Sequence, residues 1–322
     1  MINKVKNTIE KYNLINSSDK IVVGVSGGPD SISLLDILYK LDYNIVVCHV
    51  NHGLRENANV DEEFVKNFCN EKNIPCYVKH IDLKDKDELN GLSTEEAGRK
   101  ARYEFFFEIS SSENATKIAT AHTLNDSVET VLLNEFRGSG VSGLKGIPPF
   151  SGNIVRPLIE CTRKEVEEYC LVNSLNPRHD ESNDETLYTR NKVRLELIPY
   201  IESNINSNAI NTIYRLSQIV SEEESFVNME VQKAYDEILT SFEPNNEVVL
   251  NLKKFNYLHL FIRKKIILKS IYNVLGNAKD IEKVHIDDIV KMCENNVGGK
   301  YLTPNKNIKV SIQNHKIFVQ KT

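Results

Sequence analysis

The sequence predicts an α/β protein: a doubly wound, mostly parallel sheet followed by a second, smaller, helix-rich α+β domain. The first observation is a series of short aliphatic runs, at 21–25, 45–50, 76–81 and, more weakly, 117–121. The second is a set of helix-like stretches that alternate with these runs, at 31–41, 58–73 and 94–114. Such alternation is typical of βαβ units with right-handed crossovers, whose ligands bind beyond the carboxyl ends of the strands.

The third observation is a change of character near residue 200. The first part of the chain continues with a helix at 127–136, a short strand and a helix at 162–175. The second part is predicted to hold a long acidic helix, two further helices and three closing strand-like runs, at 205–240, 255–275, 281–296, 299–303, 307–313 and 316–320. We therefore predict a catalytic domain over 1–205 and a basic domain over 206–322.

The composition is that of a globular protein without a membrane span. Hydrophobic residues make up 40% of the 322 residues, and no apolar run approaches the ~18 residues that a membrane-spanning helix needs. The start of the chain has the pattern of an amphipathic helix and lacks the apolar stretch of a signal peptide. The six cysteines include no Cys-x-x-Cys pair, and we interpret them as free thiols of a cytoplasmic protein.

Charge is distributed unevenly along the chain. The net charge is −5, yet residues 251–322 hold 14 Lys and Arg against 5 Asp and Glu. Such an asymmetry is typical of a region that binds a polyanion, although a solvated basic surface would have the same composition.

The segment Ser26-Gly-Gly-Pro-Asp-Ser31 follows the first predicted strand and is predicted to bind phosphate. A helix N-terminus presents unpaired N–H groups, glycines let the backbone approach a ligand, and Pro29 suits the first turn of a helix. No lysine follows the glycines, so the segment is not a GxxxxGK[ST] loop. Asp30 is interpreted as a ligand of Mg²⁺ beside the phosphates, or alternatively as a helix cap.

This segment resembles the SGGxDS signature of PP-loop ATP pyrophosphatases, whose Rossmann-like domain splits ATP into AMP and pyrophosphate. Four further stretches, in order and spacing, resemble the tRNA(Ile)-lysidine synthetases: HVNHGLR (49–55), EEAGRKARY (95–103), AHTLNDSVETVLLNEFRGSG (121–140) and DESNDETLYTRNKVR (180–194). The resemblance is strong over about residues 20–200 and looser beyond.

The resemblance implies a ligase that forms a carbon–nitrogen bond. ATP, with Mg²⁺, adenylates the C2 oxygen of the wobble cytidine in tRNA(Ile) with a CAU anticodon, and the ε-amine of free lysine then displaces AMP. The family allows a homodimer. Longer members carry a further C-terminal domain, so the resemblance predicts either a short-form enzyme or a truncated version of a longer one.

The stretch that contains His122, Asp126 and Glu129 is the predicted lysine and catalytic site. If the stretch is helical, these residues share one face at the end of the fourth strand. The alternative is a capping box with Asp126 as N-cap and Glu129 three residues later, which would leave His122 unexplained. The resemblance assigns lysine binding to Asp126 and Glu129.

Part of the remaining assignments also comes from the resemblance. It places Arg102 with the reacting groups, and it places His49 and Arg137 with ATP. The predicted ATP-binding residues also include those of the phosphate loop: Ser26, Gly27, Gly28, Pro29, Asp30 and Ser31. Glycines after Arg137 could equally be helix caps, and Glu95 could form an ion pair with Arg99. The resemblance suggests that Arg190 and Arg194 face the tRNA or the nucleotide. The basic helical stretch of the C-terminal region predicts tRNA binding by Lys253, Lys254, Arg263, Lys264 and Lys265. For Arg190 a plain surface helix is an alternative.

Two departures and three rival functions remain open at the level of sequence. The family often has two histidines where this chain has His122-Thr123, and two aspartates where it has Asn125-Asp126. The rivals are a PP-loop tRNA thiolation enzyme, which needs suitably placed cysteines, a non-catalytic RNA-binding module, and an amide ligase. The basic C-terminal region argues against the amide ligase.

Overall fold

The structure is a computed structural model that describes residues 1–51, 53, 58–81, 94–178, 189–295 and 299–322. The chain forms two compact units, Met1–Val220 and Ser221–Thr322, which are described separately. The division falls inside the 30-residue helix Ala209–Ile238. It lies 15 residues after the boundary predicted from sequence.

The first unit is built on a six-stranded sheet with the order β3-β2-β1-β4-β6-β5. All pairings are parallel except β5 with β6, so the predicted mostly parallel, doubly wound sheet is confirmed. The strand order reverses at β1, whose neighbours are β2 and β4. The strands are β1 (Lys20–Gly24), β2 (Asn44–Asn51), β3 (Cys76–His80), β4 (Lys117–Ala119), β5 (Phe150–Ser151) and β6 (Ile154–Val155).

Helices cover both faces of this sheet. Along β1, Ile21 and Val23 pack in one apolar cluster and Val22 in another, as alternation along a strand requires. The first cluster contains residues of α1, α2, α3 and α6, and the second contains residues of α4. The helices that begin in the first unit are α1 (Ile2–Lys11), α2 (Pro29–Lys40), α3 (Ala58–Glu71), α4 (Thr94–Ser112), α5 (Leu124–Phe136), α6 (Arg163–Val172), α7 (Thr189–Lys192), α8 (Ile198–Asn204) and α9 (Ala209–Ile238), the last of which continues into the second unit.

The end of β1 is packed too closely against α4 for a side chain. A Cβ atom on Gly24 would lie 2.5 Å from Cζ of Phe106, which is a buried residue of α4. The glycine therefore lets the helix lie directly on the strand that leads into the phosphate loop.

The second unit contains an antiparallel sheet with the order β7-β8-β11-β10-β9 and one apolar core. Its sheet and helices confirm the predicted helix-rich α+β region. The hairpin of β7 and β8 is not among the predicted elements, because the acidic helical pattern continues to residue 240, where the structure already begins β7. The elements are β7 (Leu239–Glu243), β8 (Glu247–Asn251), α10 (Leu252–Tyr257), α11 (Leu260–Leu275), α12 (Lys283–Glu294), β9 (Tyr301–Asn305), β10 (Ile308–Gln313) and β11 (Lys316–Lys321).

Among the described residues, no helix is both long enough and apolar enough to cross a membrane.

Candidate active site at the carboxyl ends of the strands

The phosphate loop joins β1 to α2 and is organised by Ser31. The Ser31 hydroxyl accepts a hydrogen bond from the Ser26 backbone N–H (3.1 Å), lies 3.2 Å from the Ser26 hydroxyl and donates to the Gly28 carbonyl (3.0 Å). Gly27 has a φ of +95°, which favours glycine, whereas Gly28 is extended and caps α2. Pro29 is the first helical residue, as predicted. The helix N-terminus is thus an anion-binding element.

Asp30 lies in the first turn of α2, so it is not the helix cap. Its Oδ2 accepts a hydrogen bond from Nη1 of Arg163 at 3.1 Å, while its Oδ1 is buried with no partner among the described residues. Burial raises the pKa of Asp30 to about 6, although the charge of Arg163 opposes this. A carboxylate oxygen without a partner, next to a phosphate loop, fits the donor set of Mg²⁺, which commonly takes one or two carboxylates and substrate phosphates.

Arg163 is a site residue that the sequence analysis missed. It is the first residue of α6, and its backbone N–H donates to Oδ1 of Asn125 at 2.9 Å. Its Nε donates to Glu167, also at 2.9 Å. The Thr162-x-x-Glu165 capping box could have located the start of α6 in the sequence, but only the packing brings Arg163 to Asp30.

His122 precedes α5 rather than lying on its face. The helix begins at Leu124 with Thr123 as N-cap, and Thr123 and Asp126 form the capping box. The alternative of a capping box with Asp126 as N-cap and Glu129 at its third position does not occur, because the Thr123 hydroxyl takes the capping role three residues earlier. His122 Nδ1 lies 3.0 Å from the Thr120 hydroxyl, and burial lowers the pKa of His122 to about 4. The imidazole is therefore neutral at pH 7.

Asp126 and Glu129 lie together on α5 and both bind two arginines. Arg190 donates to Oε2 of Glu129 (2.8 Å) and Oδ1 of Asp126 (3.0 Å). Arg194 donates to both oxygens of Glu129 (2.6 and 3.0 Å) and to Oδ1 of Asp126 (3.1 Å). Burial acts to raise the pKa of Asp126, but the charge of Arg190 holds that pKa below its usual value.

The two arginines come from the segment that follows the described gap at 179–188. Arg190 belongs to α7, and Arg194 belongs to a single π-helical turn, Val193–Leu197, between α7 and α8. Neither lies on a plain surface helix, since Arg190 is one third exposed and is bound to α5. The charge of Arg194 also acts on Asp30, so Arg194 connects the carboxylate pair electrostatically to the phosphate loop.

A count of acceptor positions limits what else this pair can bind. Asp126 accepts two hydrogen bonds at Oδ1 from the arginines and two at Oδ2 from Thr123, so its lone pairs are used. Glu129, only 1% exposed, accepts three, which leaves one position at Oε1 without a partner among the described residues. An ammonium group that bound this pair fully would have to displace an arginine.

His49 supports the phosphate loop from β2. Its side chain is buried, and Nδ1 lies 2.9 Å from the carbonyl oxygen of Val25, the residue before the loop. Burial lowers the pKa of His49. The next polar residue of the motif, Asn51, donates to Glu62 at 2.9 Å, whereas His52 and Arg55 lie outside the described residues.

The other predicted site residues are more exposed. Arg102 has an exposed side chain on α4, and Arg99 lies over the ring of Tyr103 at 5.5 Å. The proposed partner of Arg99, Glu95, has a side chain outside the described ones. Arg137 is the exposed C-cap of α5, and Gly138 and Gly140 after it have positive φ, as expected for glycines that end a helix.

The residues of the second unit predicted to bind tRNA divide into three groups. Arg263 and Lys264 form ion pairs with Glu294 (2.9 Å) and Asp287 (2.6 Å). The amine of Lys254 donates to a backbone carbonyl, and that of Lys265 lies over the Phe261 ring. Lys253 is exposed and forms no ion pair with a described residue. The second unit thus has fewer available cations than its composition indicates.

Comparison with known proteins identifies the family. The model of the PP-loop domain matches residues 1–201. The tRNA(Ile)-lysidine synthase of Clostridioides difficile is 41% identical over 316 residues, which cover 96% of this chain and 68% of that protein. The enzyme of the same name from Clostridium tetani is 42% identical over 315 residues, covering 96% and 67%. This chain belongs to the tRNA(Ile)-lysidine synthase family.

A solved structure supports the fold of this family member. The U34-tRNA thiolase NcsA from Methanococcus maripaludis, with its [4Fe-4S] cluster, has a TM-score of 0.55 and 22% identity, and the match covers 68% of this chain and 78% of that one. At that identity the likeness establishes the fold alone.

The cysteines of this chain do not resemble those of a tRNA thiolation site. All six are free thiols, five of them buried, and burial raises the pKa of Cys48, Cys161 and Cys293 to about 12. The described residues contain no group of three or more His, Cys, Asp or Glu side chains that could hold a metal ion. Cys76 differs from the others, because it is only partly buried and its hydrogen bond with Cys69 lowers its pKa. Among the described residues, no cluster site supports sulfur transfer.

Proposed function

We propose that this chain joins free lysine to C2 of the wobble cytidine in tRNA(Ile) with a CAU anticodon, at the expense of ATP. The observation that carries the proposal is the Asp126–Glu129 pair beside a PP-loop, in a chain about 40% identical to curated lysidine synthases. A phosphate loop supports ATP cleavage, and a carboxylate pair supports an amine nucleophile. We place this activity in the cytoplasm.

Two steps account for the atoms. The C2 oxygen of the cytidine attacks the α-phosphorus of ATP, and pyrophosphate leaves. The lysine ε-nitrogen then attacks C2, and the C2 oxygen leaves with AMP. The ammonium must first transfer a proton to a nearby base, because a lysine ammonium has a pKa of about 10.4.

The backbone N–H groups at the start of α2 and the Ser26 and Ser31 hydroxyls would bind the phosphates of ATP. Asp30 would hold Mg²⁺, which would neutralise phosphate charge during adenylation. Arg163 would orient the Asp30 carboxylate through their 3.1 Å contact. Arg102, on α4, would offset negative charge on the α-phosphate, as the family resemblance implies.

Lysine binding would require the arginines to move. Asp126 has no acceptor position left and Glu129 has one, so an ammonium group competes with Arg190 and Arg194. ATP phosphates offer those guanidinium groups another anion. We therefore propose that ATP binds first and that lysine binds to the carboxylates that the arginines release. Neutral His122 would accept hydrogen bonds near the amine.

The tRNA would bind through the second unit, and a homodimer is compatible with this proposal. Phosphate contacts of Lys and Arg supply affinity regardless of sequence, and unpaired loop bases supply specificity.

The test is incorporation of labelled lysine into a CAU-anticodon isoleucine tRNA transcript, with Mg²⁺ and ATP present. A matched transcript carries U in place of the wobble C. We expect label only on the C34 transcript, with AMP and pyrophosphate formed. Splitting of ATP that tRNA stimulates without lysine transfer would contradict the proposed nucleophile, and a sulfur donor would be tested next.

Ordered binding is tested separately by measuring lysine affinity with and without a non-hydrolysable ATP analogue. We expect tighter lysine binding when the analogue is present. Equal affinity in the two conditions would contradict the arginine-release step and leave the overall reaction untouched.

A further inference from the structure

The second unit contains a cavity of about 530 Å³ at the start of α10. This volume falls within the range of about 300–1,000 Å³ of pockets that hold small organic ligands. It is lined by Asn251, Leu252, Lys253, Asn256, Tyr257 and His315. The lining holds an aromatic ring, a cation, an imidazole and two amides, and no carboxylate.

Tyr257 is the most unusual member of this lining. Its side chain is 80% exposed, the highest value among the aromatic residues of the described chain. An aromatic ring left in water beside a cavity provides a stacking surface for a nucleobase. Lys253 is exposed on the same helix without an ion pair to a described residue, and its charge is therefore available to a phosphate.

Asn256 contributes a polar group that lacks a partner. Its Nδ2 donates to the carbonyl of Cys293 at 2.9 Å, which fixes the orientation of the amide. Its Oδ1 is buried and has no hydrogen-bond partner among the described residues. The fixed amide therefore forms part of the cavity wall, while the buried Oδ1 itself does not face the open space.

His315 lies in the cavity wall with a backbone conformation that is unfavourable for a residue other than glycine. It and Asn314 form the two-residue turn between β10 and β11, and both have positive φ (58° and 48°). Turns of this kind favour glycine and asparagine. The His315 carbonyl accepts a hydrogen bond from Leu252 N at 3.0 Å, which joins the turn to the start of α10.

We propose that this cavity binds one unpaired nucleotide of the tRNA substrate, with the base stacked on Tyr257 and the phosphate beside Lys253 and His315. The assignment of the RNA as tRNA rests on the proposed function. The choice of a nucleotide as ligand rests on the lining alone. A free nucleotide has the same base and phosphate groups and would fit the same lining.

The experiment measures binding of the CAU transcript to the full chain by filter binding at several salt concentrations. The variants are Tyr257→Ala, Lys253→Ala and His315→Gly, and the matched control is Tyr272→Ala, an exposed tyrosine (58%) of α11 outside the cavity. Thermal unfolding of each variant is recorded. Titrations with AMP and CMP form a second arm that tests free nucleotides as the source.

Each variant has its own expected result. Tyr257→Ala weakens tRNA binding by about 5- to 160-fold with an unchanged salt dependence, as loss of one stacked base predicts. Lys253→Ala lowers the slope of log K against log salt by about 0.7–0.9, as loss of one phosphate contact predicts. His315→Gly weakens binding while the unfolding temperature is unchanged or higher, because glycine adopts a φ near +58° without strain.

Other outcomes would overturn the proposal. Equal tRNA affinity in Tyr257→Ala and Tyr272→Ala would exclude the stacking role. AMP or CMP binding that depends on Tyr257, with tRNA binding unchanged, would assign the cavity to free nucleotides. Lysine transfer is assayed in parallel: if it fails in the unmodified chain while Tyr257 still governs tRNA binding, the lysidine function is wrong and the cavity assignment stands.

Discussion

Replacement of Glu129 by glutamine should weaken the first unit measurably. The Glu129 carboxylate is 1% exposed and accepts three hydrogen bonds, at 2.6, 2.8 and 3.0 Å, from two guanidinium groups. Glutamine keeps the shape but removes the charge and turns one acceptor into a donor that faces a guanidinium group. Breaking a fully buried ion pair by removing one partner costs about 3–5 kcal/mol.

The expected value is smaller here because the arginines are partly exposed. Arg190 and Arg194 have side-chain exposures of 33% and 29%, and both keep a bond to Asp126. We therefore expect a loss of about 1–3 kcal/mol in the free energy of unfolding. For a unit of this size that corresponds to a fall of about 2–12 °C in melting temperature.

The assay is thermal unfolding followed by circular dichroism, with Glu135→Gln as the control. Glu135 lies on the same helix, has an exposed side chain and should change the melting temperature by less than about 1 °C. The effect of Glu129→Gln should persist at high salt, since buried pairs are weakly screened. An unchanged melting temperature in Glu129→Gln would refute the view that the arginines hold α5 through this carboxylate.

Two further predictions concern His122 and Arg163. The pKa of His122 is about 4 in the folded chain and near 6.5 in the unfolded chain. Between these pH values the unfolded state binds one more proton, so the free energy of unfolding falls as the pH falls. His122→Gln should remove this part of the pH dependence. Urea unfolding at several pH values measures this, and an unchanged pH slope would contradict the buried, neutral imidazole. Arg163→Met should raise the KM for ATP several-fold and leave the KM for lysine nearly unchanged, because Arg163 contacts Asp30 and not the carboxylate pair; steady-state kinetics decide, and a selective rise in the lysine KM would contradict this placement.

Much of the first unit could be predicted from local sequence. The alternating strands and helices, the phosphate loop, the first-turn proline and the glycine of positive φ all depend on residues within a few positions of one another. The predicted helix at 127–136 begins three residues too late, because the structure caps α5 at Thr123. Thr123 with Asp126 forms the box that the structure contains, and local pattern alone ranks it no higher than Asp126 with Glu129.

The sequence by itself determined the family, the mostly parallel sheet and the location of the phosphate loop, because periodicity and short motifs act over short distances along the chain. Only the tertiary structure decided how the charges are paired. Asp30 meets Arg163 across 133 positions, and Glu129 meets Arg190 and Arg194 across 61 and 65. Residues that sequence alone assigned to tRNA are therefore bound to the carboxylates assigned to lysine. The physical reason is burial: a carboxylate removed from water requires a cation, and packing determines which cation can reach it.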